Sequence, residues 1–272
     1  RDGNMLRAYA AADHAWRLPV KLGKVDPHFL DMLVAYEDKR FRDHRGVDPL
    51  AVLRAAGQLV SHGRIVSGGS TITMQLARLM EPRAARSFAA KLRQALRALQ
   101  IERRLSKDEI LQRYLTLAPY GGNLEGIRAA SLAWLGKEPH RFTVAEAALL
   151  VALPQAPESR RPDRHPGNAD AARNRVLARM VEAGLMAAGE AARAMDVALP
   201  AGGRREMPAL AAHAADRARA AAPSAQRIEL TLRRSVQEGL EAVARDSARR
   251  LGPRVSLARV MADARTGEIL GE

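Results

Sequence analysis

Apolar residues recur every three or four positions over most of the chain, the period of helices that bury one face. Leu30, Leu33, Val34, Glu37 and Phe41 fall on one side of a segment from Asp31 to Phe41, and Leu50, Leu53, Gln58 and Leu59 repeat the pattern over Pro49 to Ser61. Ser87 to Arg104 predicts a long basic helix with an apolar stripe of Leu92, Ala95, Leu96 and Leu99. Ser106-Lys107-Asp108-Glu109 and Thr143-Val144-Ala145-Glu146 have the spacing of capping boxes, so a helix is expected to start at each. Glycine-bearing loops separate these elements: Ser67-Gly68-Gly69-Ser70, Gly121-Gly122-Asn123, and the turn Pro154-Gln155-Ala156-Pro157.

The pattern weakens toward the C-terminus. Glu158 to Gly167, rich in Arg, Pro and Asp, reads as an extended surface strap. Asn168 to about Ala222 is Ala/Arg-rich helix with a break at Pro200 to Gly203, read as a connector. Arg227 to Leu232 alternates, Arg234 to Arg250 is helical, and Val255 to Asp263 with Glu268-Ile269-Leu270 reads as a strand, a turn and its partner. A lone hairpin cannot bury its own face, so this end reads as the edge of a further domain. The expected division is an N-terminal segment 1–24, a core 25–165, a connector 166–226 and the start of another domain at 227–272. The chain opens on Arg1 and stops inside a strand pattern, as a piece excised from a longer protein would.

Composition narrows the classes. With 272 residues, 47% hydrophobic and 27% charged, the chain is globular and long enough for a sizeable core. No run of eighteen uncharged apolar residues occurs, which excludes a spanning helix in this piece. The absence of cysteine removes disulfides, thiol catalysis and cysteine-ligated zinc. A formal charge of +14 suits a polyanionic partner: nucleic acid, anionic lipid or a phosphorylated substrate. GC-rich coding, which favours Arg and Ala, would give the same bias. Aromatics are only 4% and do not interleave with the basic residues, which argues against single-stranded nucleic acid.

Three clusters can carry chemistry. The first runs from Glu37 to Gly46. Glu37 shares a face with Leu33, Val34 and Phe41, and a carboxyl against an apolar wall has its pKa raised, suiting proton transfer. A solvated or salt-bridged helix-end Glu-Asp pair is the alternative. The second cluster, Gly68 to Arg78, would place the amides of a helix start toward a phosphate, with Thr71, Gln75 and Arg78 as a polar stripe. An ordinary N-capped helix is the simpler explanation of this segment taken alone. The third is the basic stretch from Arg78 to Arg113, with ten Lys/Arg against four Asp/Glu. Lys91 and Gln94 share a face there, either as solvated surface or as a clamp for a leaving diphosphate. The histidines show no metal-ligand spacing, and no phosphate-binding Walker loop, GxSxG or Ser-x-x-Lys occurs.

Together the clusters resemble one family. Glu37-Asp38-x-x-Phe41-x-x-His44-x-Gly46 and Gly69-Ser70-Thr71-Ile72-Thr73-x-Gln75 look like the first two signatures of the peptidoglycan glycosyltransferase domain of bifunctional penicillin-binding proteins. Leu99-Gln100-x-Glu102, Ser106 to Leu111, Tyr114-Leu115 and Ala147 to Pro157 are similar to its later blocks. Ala118-Pro119-Tyr120-Gly121-Gly122, Met74 and Gln94 are most similar to the 1C branch. Arg227 to Glu272 resembles the lead-in to a transpeptidase domain.

The resemblance implies a mainly α, lysozyme-like fold on the outer, periplasmic face of the bacterial cytoplasmic membrane, anchored by an upstream helix. It implies polymerisation of lipid II with release of undecaprenyl diphosphate. Glu37 would be the general base. Gln94 would stand where the family carries a second acid, still able to hydrogen-bond a phosphate or water. Ser70, Thr71, Gln75, Arg78 and Lys91 would line the donor and its diphosphate, with Asp38, Phe41, His44 and Tyr120 also on the substrate-binding side. No cofactor is required, although a divalent cation (Mg or Mn) at the diphosphate is compatible. Expected partners are lipid II, the growing glycan, the membrane surface and other cell-wall synthesis proteins, not nucleic acid. A lipid II-binding scaffold with weak turnover is the alternative reading, motivated by Gln94. The mixed apolar and basic stretch Leu50 to Val66 is expected to dip into the bilayer.

Overall fold

The computed structural model describes residues 4–54, 69–81, 87–200, 202–252, 254 and 256–272. It divides into two units, one of Ala10–Arg205 and one of Arg1–Tyr9 with Glu206–Glu272. The first is mainly helical, as expected. Its helices are α1 (Pro27–Glu37), α2 (Ile72–Leu79), α3 (Phe88–Glu102), α4 (Lys107–Leu117), the short α5 (Ile127–Ala130), α6 (Val144–Ala152), α7 (Pro166–Glu182) and α8 (Ala188–Met195). One parallel pair, β1 (Trp16–Arg17) and β2 (Leu124–Glu125), joins Trp16 to Leu124 and Arg17 to Glu125. The Arg17 guanidinium reinforces that pairing on the Glu125 carboxylate at 2.6 Å.

Helix α6 is the centre of this unit. Ala145, Ala147, Ala148, Leu149, Leu150, Val151 and Ala152 are all buried, as a helix apolar on every side must be. It packs against α1 and α7, and both expected capping boxes, at Ser106 and Thr143, form with both reciprocal hydrogen bonds. Helix α7 buries Ala169, Ala172, Val176, Leu177 and Met180, so the first part of the expected connector belongs to the core-bearing unit. The small-residue composition that suggested a linker instead lets two helices approach closely. Residues 158–165 run in turns rather than as an extended strap, because Arg161 is buried and forks onto Asp163 at 2.7 and 3.0 Å.

Helix α1 starts and stops four residues earlier than the apolar spacing predicts. Asp26 caps it by accepting from the Phe29 amide, with Pro27 at the first helical position, where a missing N–H costs nothing. It ends at Glu37, so Phe41 lies beyond it, fully buried in the following turn. In α3 the leucine stripe is a second correction. Leu92, Leu96 and Leu99 are exposed, while Ala90 and Ala98 are buried on the side that packs toward α2. Residues 49–54 are helical behind an Asp48 cap; the rest of the stretch to Val66, including Leu59, lies outside the described residues.

In the second unit, Arg7 bridges to Ala209 beside α9 (Ala212–Ala221), and α10 (Arg234–Leu251) packs on the hairpin β3 (Met261–Ala262) and β4 (Ile269–Gly271). The hairpin is present as expected, but Arg227 to Leu232 forms no ladder. Among the described residues no helix is long and apolar enough to cross a membrane.

Gly46 shows how tightly the loop after α1 is pressed on α3. Its φ is +90°, and a Cβ there would lie 2.8 Å from the backbone C and O of Ala98. Neither atom can swing away. Gly46→Ala is expected to destabilise the protein by about 2–4 kcal/mol, read as a fall in Tm of roughly 5–15 °C. An unchanged melting curve would contradict this packing.

Candidate active site

The end of α1 and the start of α2 meet through buried polar groups. Both carboxylate oxygens of Asp38 lie 3.0 Å from His44 Nε2, and Oδ2 also accepts from the Ile72 amide at 3.0 Å. His44 Nδ1 accepts from the Gly46 amide at 3.2 Å, which leaves Nε2 as the donor to Asp38. Thr71 Oγ1 donates to the Gly46 carbonyl at 2.5 Å and accepts from the Met74 amide at 3.1 Å, capping α2. The start of α2 therefore faces an internal carboxylate. The expected outward-facing phosphate cradle is already occupied by Asp38, which satisfies the same amide and the same helix dipole.

Phe41 sits beneath this knot, with Lys107 Nζ 4.6 Å from its ring centroid. That ammonium donates to the His44 carbonyl at 2.6 Å and to Glu102 Oε1 at 2.7 Å, while Glu102 also accepts from Thr73 Oγ1 at 2.6 Å. Asp38, Phe41, His44 and Thr71 are all buried and bonded to protein. The structure places them as the frame of the site rather than on its open side.

What the frame positions is Glu37, the last residue of α1. Its Oε2 accepts from Gln75 Nε2 at 2.8 Å and its Oε1 from Gln155 Nε2 at 2.9 Å. Gln75 stands one turn into α2, and Gln155 ends the short 3-10 turn Leu153–Gln155 that follows α6. The Tyr114 hydroxyl of α4 lies 3.4 Å from Gln75 Oε1, and Arg160 Nη1 donates to Gln155 Oε1 at 3.2 Å. Burial raises the Glu37 carboxyl above the ordinary carboxylate range, against the opposing pull of the two amides and of Arg160 and Arg179.

Two buried tyrosines flank the acid. Burial raises both phenols, Tyr114 and Tyr120, and the nearby Glu37 charge adds to each shift. Tyr120 is held by Trp134 Nε1 donating to its carbonyl at 3.2 Å, and its own hydroxyl is buried without a hydrogen-bond partner among the described residues.

The other expected residues are arranged differently. Arg78 is exposed one turn beyond Gln75, close enough to lower the Tyr114 phenol. Ser70 is half-buried ahead of the Thr71 cap. Lys91 is exposed on α3, and Gln94, half-buried one turn on, makes no hydrogen bond among the described residues. Gln155, Arg160 and Arg179 had no role from sequence. The only signal for Gln155 was its place in a Pro-bounded turn, which does not say which way a side chain reaches.

The transglycosylase family model matches residues 2–181. The chain belongs to that family. It is 45% identical over 263 residues to penicillin-binding protein 1C of Escherichia coli strain K12, covering 97% of this chain and 34% of that one. Penicillin-binding protein 1A of Aquifex aeolicus strain VF5 is 40% identical over 178 residues, 65% of this chain and 24% of that one. The crystal structure of penicillin-binding protein 1A from Haemophilus influenzae aligns over 92% of this chain and 31% of its own, at 18% identity and a TM-score of 0.42. The chain thus spans about a third of the length of the 1C relative. It carries a transglycosylase domain of the kind found in class A penicillin-binding proteins.

The burial of Glu37 can be read in the pH dependence of stability. Because its folded-state pKa is raised, the native state holds the proton more tightly than the unfolded chain does. Stability therefore declines as pH rises from the ordinary carboxyl value near 4.5 through the folded value. Glu37→Gln removes this titration. Its stability relative to the unmutated protein is expected to improve as pH rises above about 4.5, measured by denaturant unfolding. Parallel curves would mean that the carboxyl is not desolvated.

Proposed function

We propose that this transglycosylase domain polymerises lipid II, with Glu37 as the general base. The 4-hydroxyl oxygen of an acceptor disaccharide attacks C1 of the glycan donor as its proton passes to the Glu37 carboxylate. The new C–O bond forms as the bond from C1 to the diphosphate oxygen breaks, and the electron pair leaves with undecaprenyl diphosphate. Attack opposite the leaving group inverts the anomeric centre. The observation that carries this reading is a desolvated carboxylate fixed at both oxygens, with its proton affinity raised by burial.

A diphosphate leaves without being protonated, so the reaction needs one base and cations, not a second acid. Arg78 and Lys91 are exposed and make no ion pair among the described residues, which suits them to that charge. Gln94 can donate to a phosphate oxygen or to water. The exposed leucines 92, 96 and 99, beside Lys91, Arg93 and Arg97, suit a polyprenyl carrier entering from an anionic membrane surface on the periplasmic side.

Among the described residues no three His, Asp or Glu side chains converge, and both Glu37 oxygens already accept amide protons. Binding without turnover is the second reading, favoured by the neutral Gln94 alone.

A gel assay with labelled lipid II separates the two. The unmutated protein should give glycan ladders, and Glu37→Gln should slow them by about a hundredfold or more. Arg78→Ala and Lys91→Ala should each lower kcat/KM by about tenfold. Full-rate polymerisation by Glu37→Gln would remove the assigned base, and lipid II binding with no ladder from the unmutated protein would favour the scaffold.

A further inference from the structure

Gln155 is an exposed residue, yet its amide nitrogen lies 2.9 Å from Glu37 Oε1. An amide can turn over and present its oxygen instead, which would set two acceptors against each other. Here Arg160 forbids the turn. Its Nη1 can only donate, and it does so to Gln155 Oε1 at 3.2 Å and to the Ala152 carbonyl at 2.6 Å. The guanidinium is thereby anchored to the C-terminal end of α6, and Gln155 has a single orientation open to it. Arg160 forms no ion pair among the described residues, so it can balance Glu37 only across the amide.

We infer that Gln155, oriented by Arg160, is a positioning residue that holds the Glu37 carboxylate in place as an ionised base. The inference rests on reading Glu37 as the base. Gln75 fixes the other oxygen from α2, but among the described residues its own oxygen meets only the Tyr114 hydroxyl, which can donate or accept. The Arg160-Gln155 arm is the one that cannot reverse polarity.

Among the described residues the groups around the acid are few. Gln75 comes from α2, Tyr114 from α4, Tyr120 from the loop after it, Arg160 from the turn after α6 and Arg179 from α7, with Arg78 of α2 behind Tyr114 and Tyr36 of α1 behind Arg160 and Arg179. Burial holds Tyr114 and Tyr120 neutral, and Arg179 is exposed and stacks on Tyr36 at 4.9 Å. None of them duplicates the donor that Gln155 supplies to Oε1.

Gln155→Leu keeps the volume and removes the donor, and substitution at an exposed site leaves the core intact. With glutamate carboxyl carbons labelled by 13C and Glu37 assigned from Glu37→Gln, its titration midpoint should rise by roughly 0.5–1 pH unit in Gln155→Leu. Gln155→Ala, which admits water to solvate the charge, should rise less. Arg160→Met, which frees the amide and removes a cation, should move it the same way as Leu. The acidic limb of kcat/KM for lipid II polymerisation should follow the carboxyl midpoint upward, with about a tenfold loss below it.

An unmoved midpoint in Gln155→Leu overturns the inference. A midpoint that moves while the acidic limb stays put also overturns it, because the contact then exists without serving the base. Failure of the underlying function looks different: Glu37→Gln would polymerise at full rate while the carboxyl midpoint still responded to Gln155→Leu.

Discussion

The Asp38 carboxylate, buried with both oxygens used, fixes how two helices meet. By accepting from His44 and from the first amide of α2, it sets the end of α1 against the start of α2 with no slack between them. Gly46 and Thr71 close the same loop from the other side, one through a backbone approach that admits no Cβ and one through a hydroxyl cap. A buried anion of this kind is expensive to leave unpaired, which makes the arrangement an all-or-none one. Glu37 and Gln75 face each other because the residue next to Glu37 and the cap four residues before Gln75 belong to this knot. Asp38, Phe41, His44 and Thr71, expected on the substrate-binding side, thus act as a frame in space.

The frame puts its working acid in a costly position. A carboxylate at the C-terminal end of a helix meets the carbonyl end of the helix dipole, and burial disfavours its charge further. Two neutral amides are a measured answer. Each hydrogen bond to a charged group is worth about 1.5–3 kcal/mol, enough to keep the acid ionisable but short of the effect of a contacting arginine. A guanidinium directly on Glu37 would hold its proton affinity so low that it could not take a hydroxyl proton. Placing Arg160 behind Gln155 supplies orientation while keeping full positive charge off the carboxylate. The same logic explains neutral, buried tyrosines on the remaining sides.

Much of this was legible in the sequence, and the parts that were not share a cause. Capping boxes at Ser106 and Thr143 are local: their hydrogen bonds close within one turn, so spacing alone finds them. The inward aim of Glu37 followed from its spacing with Leu33 and Val34, although the helix ends there and does not reach Phe41. The leucine stripe of α3 misled because period tells which residues share a face, not which face is covered; alanines made the contact. Gln155 and Arg160 escaped because they meet Glu37 across 118 and 123 positions of chain, through a turn whose direction only the packed α6 decides.

Gln94 is where local pattern and chemistry part company. A missing second acid would silence a glycosidase, whose alkoxide leaving group must be protonated. A diphosphate carries its own negative charge away and asks for cations and donors. In the proposed reaction Arg78 and Lys91 supply the former, and the Gln94 amide, with no side-chain partner among the described residues, supplies the latter without repelling an anion as glutamate would. Within that proposed reaction, glutamine in place of an acid removes a charge conflict at the leaving-group side, and the contacts that hold Glu37 are an entirely separate set.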